Sequence, residues 1–151
     1  MRVIGVALAA GTAVAITTSG CSPAKPVDLT GTTWELLGIE SMSPEEEPST
    51  TIADPSRYTV TFGDDGKAGF RVDCNRGNST WKIEAAGPDS GSLTFGPIAL
   101  TRMACPQPSA DRTVAAALGQ VRSYLVADGQ LHLSLQADGG IMHWQPATRP
   151  G

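Results

Sequence analysis

Between Tyr58 and Val72 the chain alternates, turns and alternates again, and this pattern constrains the fold more than any other segment. In Tyr58-Thr59-Val60-Thr61-Phe62 the two aromatics and the valine share one face, while the threonines take the other. That is the period of a half-buried strand. Gly63-Asp64-Asp65-Gly66 supplies an Asp-Gly turn, and Lys67 to Val72 returns as a second strand. A lone two-stranded hairpin is only marginally stable in water, so its apolar face needs cover from other elements.

The remaining chain supplies more strands of the same kind. Thr33-Trp34-Glu35-Leu36-Leu37 reads as an opening strand. Asn75 to Asn78 is predicted as a turn and Thr80-Trp81-Lys82-Ile83 as a third strand. Gly87 to Gly91 breaks the chain, and Ser92-Leu93-Thr94-Phe95 and Ile98 to Met103 follow as strand segments. Leu131, Leu133 and Leu135 alternate with Gln130, His132, Ser134 and Gln136, and Ile141 to Gln145 forms the last strand. One helix is predicted after Pro108, with Ser109 as its N-cap and Asp111 in the first turn. Val114, Leu118, Val121 and Leu125 recur in steps of four, three and four along its apolar stripe. With 17 Gly, 11 Pro and only 5% aromatic residues, the composition suits short strands joined by turns. The expected fold is α+β: a small, antiparallel, strongly curved or barrel-like sheet of seven or eight strands, with one helix packed at one end.

The first twenty residues differ in kind. Met1-Arg2, an uncharged apolar run from Val3 to Ile16, and Thr17-Thr18-Ser19-Gly20 make a secretory signal. Cys21 directly after Ser-Gly is what a bacterial lipoprotein signal presents, although Thr18 stands where such signals usually carry Leu. Two alternatives are an ordinary signal peptide that leaves Cys21 a free thiol, and an uncleaved helix short for a full span. The expected division is a lipoprotein signal peptide at 1–20, a flexible tether at 21–30, a folded domain at 31–146 and a tail at 147–151. The partner implied first is a membrane, reached through a lipid on Cys21 and holding the domain on the extracytoplasmic side of the cell envelope.

Charge and cysteine usage narrow the partners. After residue 20 the chain has ten Lys+Arg against fifteen Asp+Glu, with no basic cluster. That argues against nucleic acid and anionic lipid surfaces, which reward a basic patch. If Cys21 carries lipid, Cys74 and Cys105 remain as an even pair, and outside the cytoplasm such a pair is expected as a disulfide. Two free buried thiols, or a redox or metal pair, are the alternatives. Neither Cys has CxxC spacing, and only His132 and His143 are available to join them.

Three segments then resemble the META domain, the small extracytoplasmic domain of HslJ-like proteins. They are Gly31-Thr32-Thr33-Trp34-Glu35-Leu36, Asp73-Cys74-Asn75-Arg76-Gly77-Asn78 after the Asp-Gly hairpin, and Leu100-Thr101-Arg102-Met103-Ala104-Cys105-Pro106 ahead of the helix. The resemblance runs from about Gly31 to Gln145. It implies an α+β domain with a barrel-like antiparallel sheet, and a broad association with envelope stress and drug tolerance. This chain departs from the pattern at Asp73, where the family usually has Gly, and at Gly77 and Asn78, where an aromatic often follows.

No catalytic constellation stands out. The sequence has no Gly-x-Ser-x-Gly elbow, no His-Glu-x-x-His and no phosphate loop. Glu45-Glu46-Glu47 lie in a Pro-flanked loop with nothing rigid to fix them. His132 and His143 fall on neighbouring strands and would need a third ligand on the same face to hold a metal, so no metal or other cofactor is expected. Asp73, Asn75, Arg76 and Arg102 form the remaining group: a Cys74–Cys105 bond would bring their segments together. They make either a polar binding rim, with Asn75, Arg76 and Arg102 as its residues, or a turn held by Asn75 with an Asp73–Arg surface pair. The expected function is non-enzymatic binding of an envelope protein or small ligand. The alternative is inhibition of a secreted hydrolase such as lysozyme or a protease.

Overall fold

The computed structural model describes residues 20–43, 45 and 48–148. The signal-like segment through residue 19, Pro44, Glu46 and Glu47 of the acidic loop, and the last three residues lie outside this range. The described residues form ten strands: β1 (Thr33–Glu40), β2 (Thr50–Thr51), β3 (Tyr58–Phe62), β4 (Lys67–Val72), β5 (Asn75–Ala85), β6 (Ser90–Phe95), β7 (Ala99–Leu100), β8 (Val121–Ala127), β9 (Gln130–Leu135) and β10 (Ile141–Pro146). One helix, α1 (Asp111–Leu118), lies between β7 and β8. Eight of the strands close into an antiparallel barrel in the order β1, β3, β4, β5, β6, β8, β9, β10, with β10 pairing back to β1. The two-residue strands β2 and β7 attach to β1 and β5.

The barrel forms because each strand turns one apolar row inward. Tyr58, Val60 and Phe62 of β3, Ala68, Phe70 and Val72 of β4, and Leu131, Leu133 and Leu135 of β9 are all buried at every second position. In β1 the phase slips: a bulge between Leu36 and Gly38 resets the register against β10, so Leu36 and Ile39 both face in although three residues apart. Glycine is required at 38, because a Cβ there would stand 2.6 Å from the Thr50 carbonyl oxygen. Buried inside are also Tyr124 of β8 and Trp144 of β10; neither the phenol nor the indole N–H finds a hydrogen-bond partner among the described residues.

Both ends of the barrel are covered. Helix α1 covers the end where β4 meets β5, burying Val114, Ala117 and Leu118. The other end is covered by chain that the sequence reading assigns to the tether. Leu29 is 1% exposed and sits in the core, and Val27 packs against it. The Val27 amide donates to the Pro88 carbonyl (2.7 Å), and the Gly31 amide donates to that of Phe62 (2.7 Å). Packing thus begins at Val27, not at Gly31: two prolines do not prevent a leucine from filling an open barrel mouth.

Four local expectations differ from the structure. The helix ends at Leu118, and Val121 to Ala127 is a strand. A bulge between Val121 and Ser123 leaves Val121 and Tyr124 buried three residues apart, which imitates a helical stripe. The helix N-cap is Ala110, without a side-chain cap, while Ser109 one residue earlier accepts the Asp111 amide at 3.2 Å. Asn75 to Asn78 is no turn. The reversal is made by Asp73 and Cys74, and β5 begins at Asn75. Of Ile98 to Met103, only Ala99 and Leu100 are strand.

Candidate functional site

At the helix-covered end, three connecting segments meet on the tight turn between β4 and β5. Asp73 takes a left-handed conformation there, φ 59°. This accounts for glycine in the family pattern, since a residue without Cβ adopts that region freely. Here the aspartate side chain ties the segments together. It is buried, ion-paired to the Arg57 guanidinium, and accepts the Ser109 hydroxyl at 2.5 Å. Close by, the Tyr58 hydroxyl accepts the Ala110 amide at 3.0 Å. Asp73 is therefore an internal tie, where the sequence suggests a surface pair.

Cys74 and Cys105 are bonded, with Cα atoms 5.5 Å apart. The disulfide draws the segment after β7 onto the turn, and Asn75 completes the attachment. Its Nδ2 donates to the Met103 carbonyl (3.2 Å), and its Oδ1 accepts the Met103 amide and the Thr101 hydroxyl, both at 2.8 Å. One buried carboxamide thus carries the attachment past β7, beyond the bond from the Thr101 amide to the Arg76 carbonyl. Gly77 lets that segment come close, since a Cβ there would overlap the Ala99 carbonyl and the Leu100 side chain.

Of the three residues proposed as a rim, Asn75 and Arg102 border one depression and Arg76 another. Asn75 is 5% exposed and fully engaged, so it offers nothing to a ligand. Arg76, next along the strand, points out of the barrel by strand alternation. Its guanidinium folds back onto the carbonyls of Asp73 and Asn75, 3.2 and 3.1 Å away. It borders a shallow depression of about 500 Å³ on the barrel wall, beside Arg71. Arg102 borders a different and larger depression of about 720 Å³, between the 98–105 segment and α1. Val72 and Asn75 contribute to its lining, and Ile98, Leu100, Met103, Arg112 and Ala115 also border it. Met103 is 62% exposed, and Arg102 and Arg112 are exposed as well. Arg112 and Met103 escaped the sequence reading; Arg112 is one position from Asp111 on the polar side of a helix whose partner segment was unknown.

Such a groove presents apolar side chains and two guanidinium groups together. Among the described residues no group of three or more His, Cys, Asp or Glu is gathered to hold a metal. Elsewhere His132 and His143 do stand side by side, on β9 and β10. Cys21 is exposed, with a free thiol. No helix among the described residues is long and apolar enough to cross a membrane.

The META domain family model matches residues 27–148, which includes the Val27–Thr30 segment that covers the barrel mouth. Among solved structures, a protein from Burkholderia xenovorans determined by NMR is 21% identical, with a TM-score of 0.63. That match covers 91% of this chain and all of the other. A DUF4847 family protein from Bacteroides vulgatus, solved by crystallography, is 12% identical with a TM-score of 0.54, over 79% of this chain and 94% of its own. Both are similar in fold. No curated protein matches the sequence.

Proposed function

This chain belongs to the META domain family, and we propose that it works as a lipid-anchored, non-enzymatic binding protein of the cell envelope, serving stress response or drug tolerance. The observation that carries this reading is the groove between the 98–105 segment and α1. Exposed methionine flanked by Arg102 and Arg112 offers an adaptable apolar contact with two permanently charged groups beside it. That combination suits a partner segment carrying both apolar and acidic groups. The disulfide and the Asn75 hydrogen bonds hold the groove wall rigid, which lowers the cost of ordering it on binding. Cys21 supports the anchor, since it is exposed and separated from the first packed residue, Val27, by a short Pro-containing stretch.

The test has two arms. Mass spectrometry of the protein from cells should find a diacylglyceryl group on Cys21 at the new N-terminus; a water-soluble product beginning elsewhere overturns the anchor. Envelope extracts passed over the immobilised protein should yield a partner that Arg102→Ala/Arg112→Ala fails to retain, with stability within about 1 kcal/mol of the parent, as for exposed sites. Unchanged retention removes this groove from consideration, and hydrolysis of a peptide or glycan by the purified protein overturns the non-enzymatic reading.

A further inference from the structure

On the outer wall of the barrel, away from the groove, the pairing of β9 with β10 sets His132 directly opposite His143. Both side chains point outward, and their Nδ1 atoms are 2.8 Å apart. Across the seam, β1 places Glu40 on the other side of the His143 ring, with its Oε2 3.0 Å from Nε2. With both rings neutral, these contacts assign the protons. His143 donates Nε2–H to the carboxylate, which leaves its Nδ1 with a lone pair, and His132 Nδ1–H donates to that lone pair.

We propose that this pair is a binding site for a divalent transition-metal ion of the copper(II) or nickel(II) type, taken by the two Nδ1 atoms in cis positions. Three observations carry the assignment. First, a metal–imidazole nitrogen distance of about 2.0–2.1 Å and nitrogens 2.8 Å apart set the two bonds at close to a right angle. That suits a tetragonal ion; a tetrahedral one needs the nitrogens further apart. Second, a carboxylate on the remote nitrogen of a ligating histidine is the arrangement that fixes the tautomer and raises ligand basicity, and Glu40 holds His143 that way. Third, the site is open to solvent: the side chains of His143 and Glu40 are 28% and 60% exposed.

Loading needs a proton shift and a turn of both rings, because in the hydrogen-bonded pair the two Nδ1 atoms point at each other along the line between them. The Nδ1 proton of His132 passes through water to its Nε2, so both Nδ1 lone pairs face the ion and neither ring changes charge. Glu40 stays on Nε2 and is not a ligand, and water fills the other positions, in keeping with the absence of a three-ligand cluster among the described residues. The sequence alone asks for a third ligand on the same face. A tetragonal ion with cis imidazoles and water does not require it.

The full chain carrying Cys21→Ser, so that neither thiol nor lipid interferes, would be titrated with nickel sulfate and copper sulfate by calorimetry, with magnesium as control. One ion per chain is expected. Affinity should fall at least tenfold in His132→Ala and in His143→Ala, and about tenfold in Glu40→Ala, the usual effect of losing an outer-shell carboxylate. No uptake by the parent, or undiminished uptake by the double histidine variant, overturns the proposal. Should an alanine variant fail to fold, electron paramagnetic resonance of the copper-loaded parent decides. Coupling to two imidazole nitrogens supports the site, and coupling to one or none overturns it.

Discussion

The Asp73 carboxylate, 1% exposed, is held by the Arg57 guanidinium, which is itself 37% exposed. The pair joins the turn between β4 and β5 to the segment leading into β3, and Ser109 brings in the approach to α1. Removing the base leaves a buried acid short of a partner, which is worse than never having had the pair. Solvent at Arg57 tempers the loss. Arg57→Ala should therefore cost about 2–3 kcal/mol in urea unfolding. Asp73→Gly should cost about 1 kcal/mol less than Asp73→Ala, because glycine accepts φ 59° without strain. Equal losses for glycine and alanine would show that backbone conformation at this turn does not matter.

Reduction of the Cys74–Cys105 bond opens a loop of 31 residues. Chain entropy assigns such a closure about 3–4 kcal/mol. A Cys74→Ser/Cys105→Ser variant should lose that much. Its fastest added hydrogen exchange should appear at the Thr101 and Met103 amides, which depend on Arg76 and Asn75 across the same junction.

Leu29 is expected to behave as core. Leu29→Ala should cost about 2–4 kcal/mol, the range for a buried leucine. A chain starting at Val27 should unfold like the parent, and one starting at Gly31 should be destabilised to a similar degree as Leu29→Ala. Equal stability of the two truncations would return Val27–Thr30 to the tether.

Burial raises the Tyr124 phenol above its ordinary value, and the neighbouring Asp89 charge adds to this. The folded state therefore keeps the proton when the unfolded chain begins to lose it near pH 10. Stability should be fully present below that pH and decline as pH rises beyond it. Tyr124→Phe should flatten this alkaline decline. At neutral pH it should change stability by less than about 1 kcal/mol, since the hydroxyl makes no hydrogen bond that would be lost.

The sequence carries the barrel where one period runs undisturbed. β3, β4 and β9 follow strict alternation, and the Asp-Gly turn between β3 and β4 is where the residues place it. Legibility fails where two periods overlap. Val121 fits both a helical stripe that begins at Val114 and the bulged strand that it actually starts; only pairing with β6 and β9 decides between them. Asn75 carries turn chemistry in its side chain, yet spends it on Met103 and Thr101, residues distant in sequence. The disulfide was readable from cysteine parity and compartment. The division of Arg76 from Arg102 was not, because it depends on which side of β5 each segment passes. Leu29 was hidden by its polar and proline neighbours: burial at a barrel mouth is one side chain deep and leaves no periodic trace.

The pairing of β10 with β1 has a consequence in time. Trp34 lies opposite Pro146, so the seam of the barrel joins the first strand to the last. No partial chain can close it. Until Ile141 to Pro146 is available, β1 presents an unsatisfied edge, the kind of surface on which sheets from different molecules join. Pairings this far apart in sequence are also slow to form. A chain cut at Gly140 would thus be an open sheet with a sticky margin, and a peptide spanning β10, added in trans, is the natural reagent to seal it.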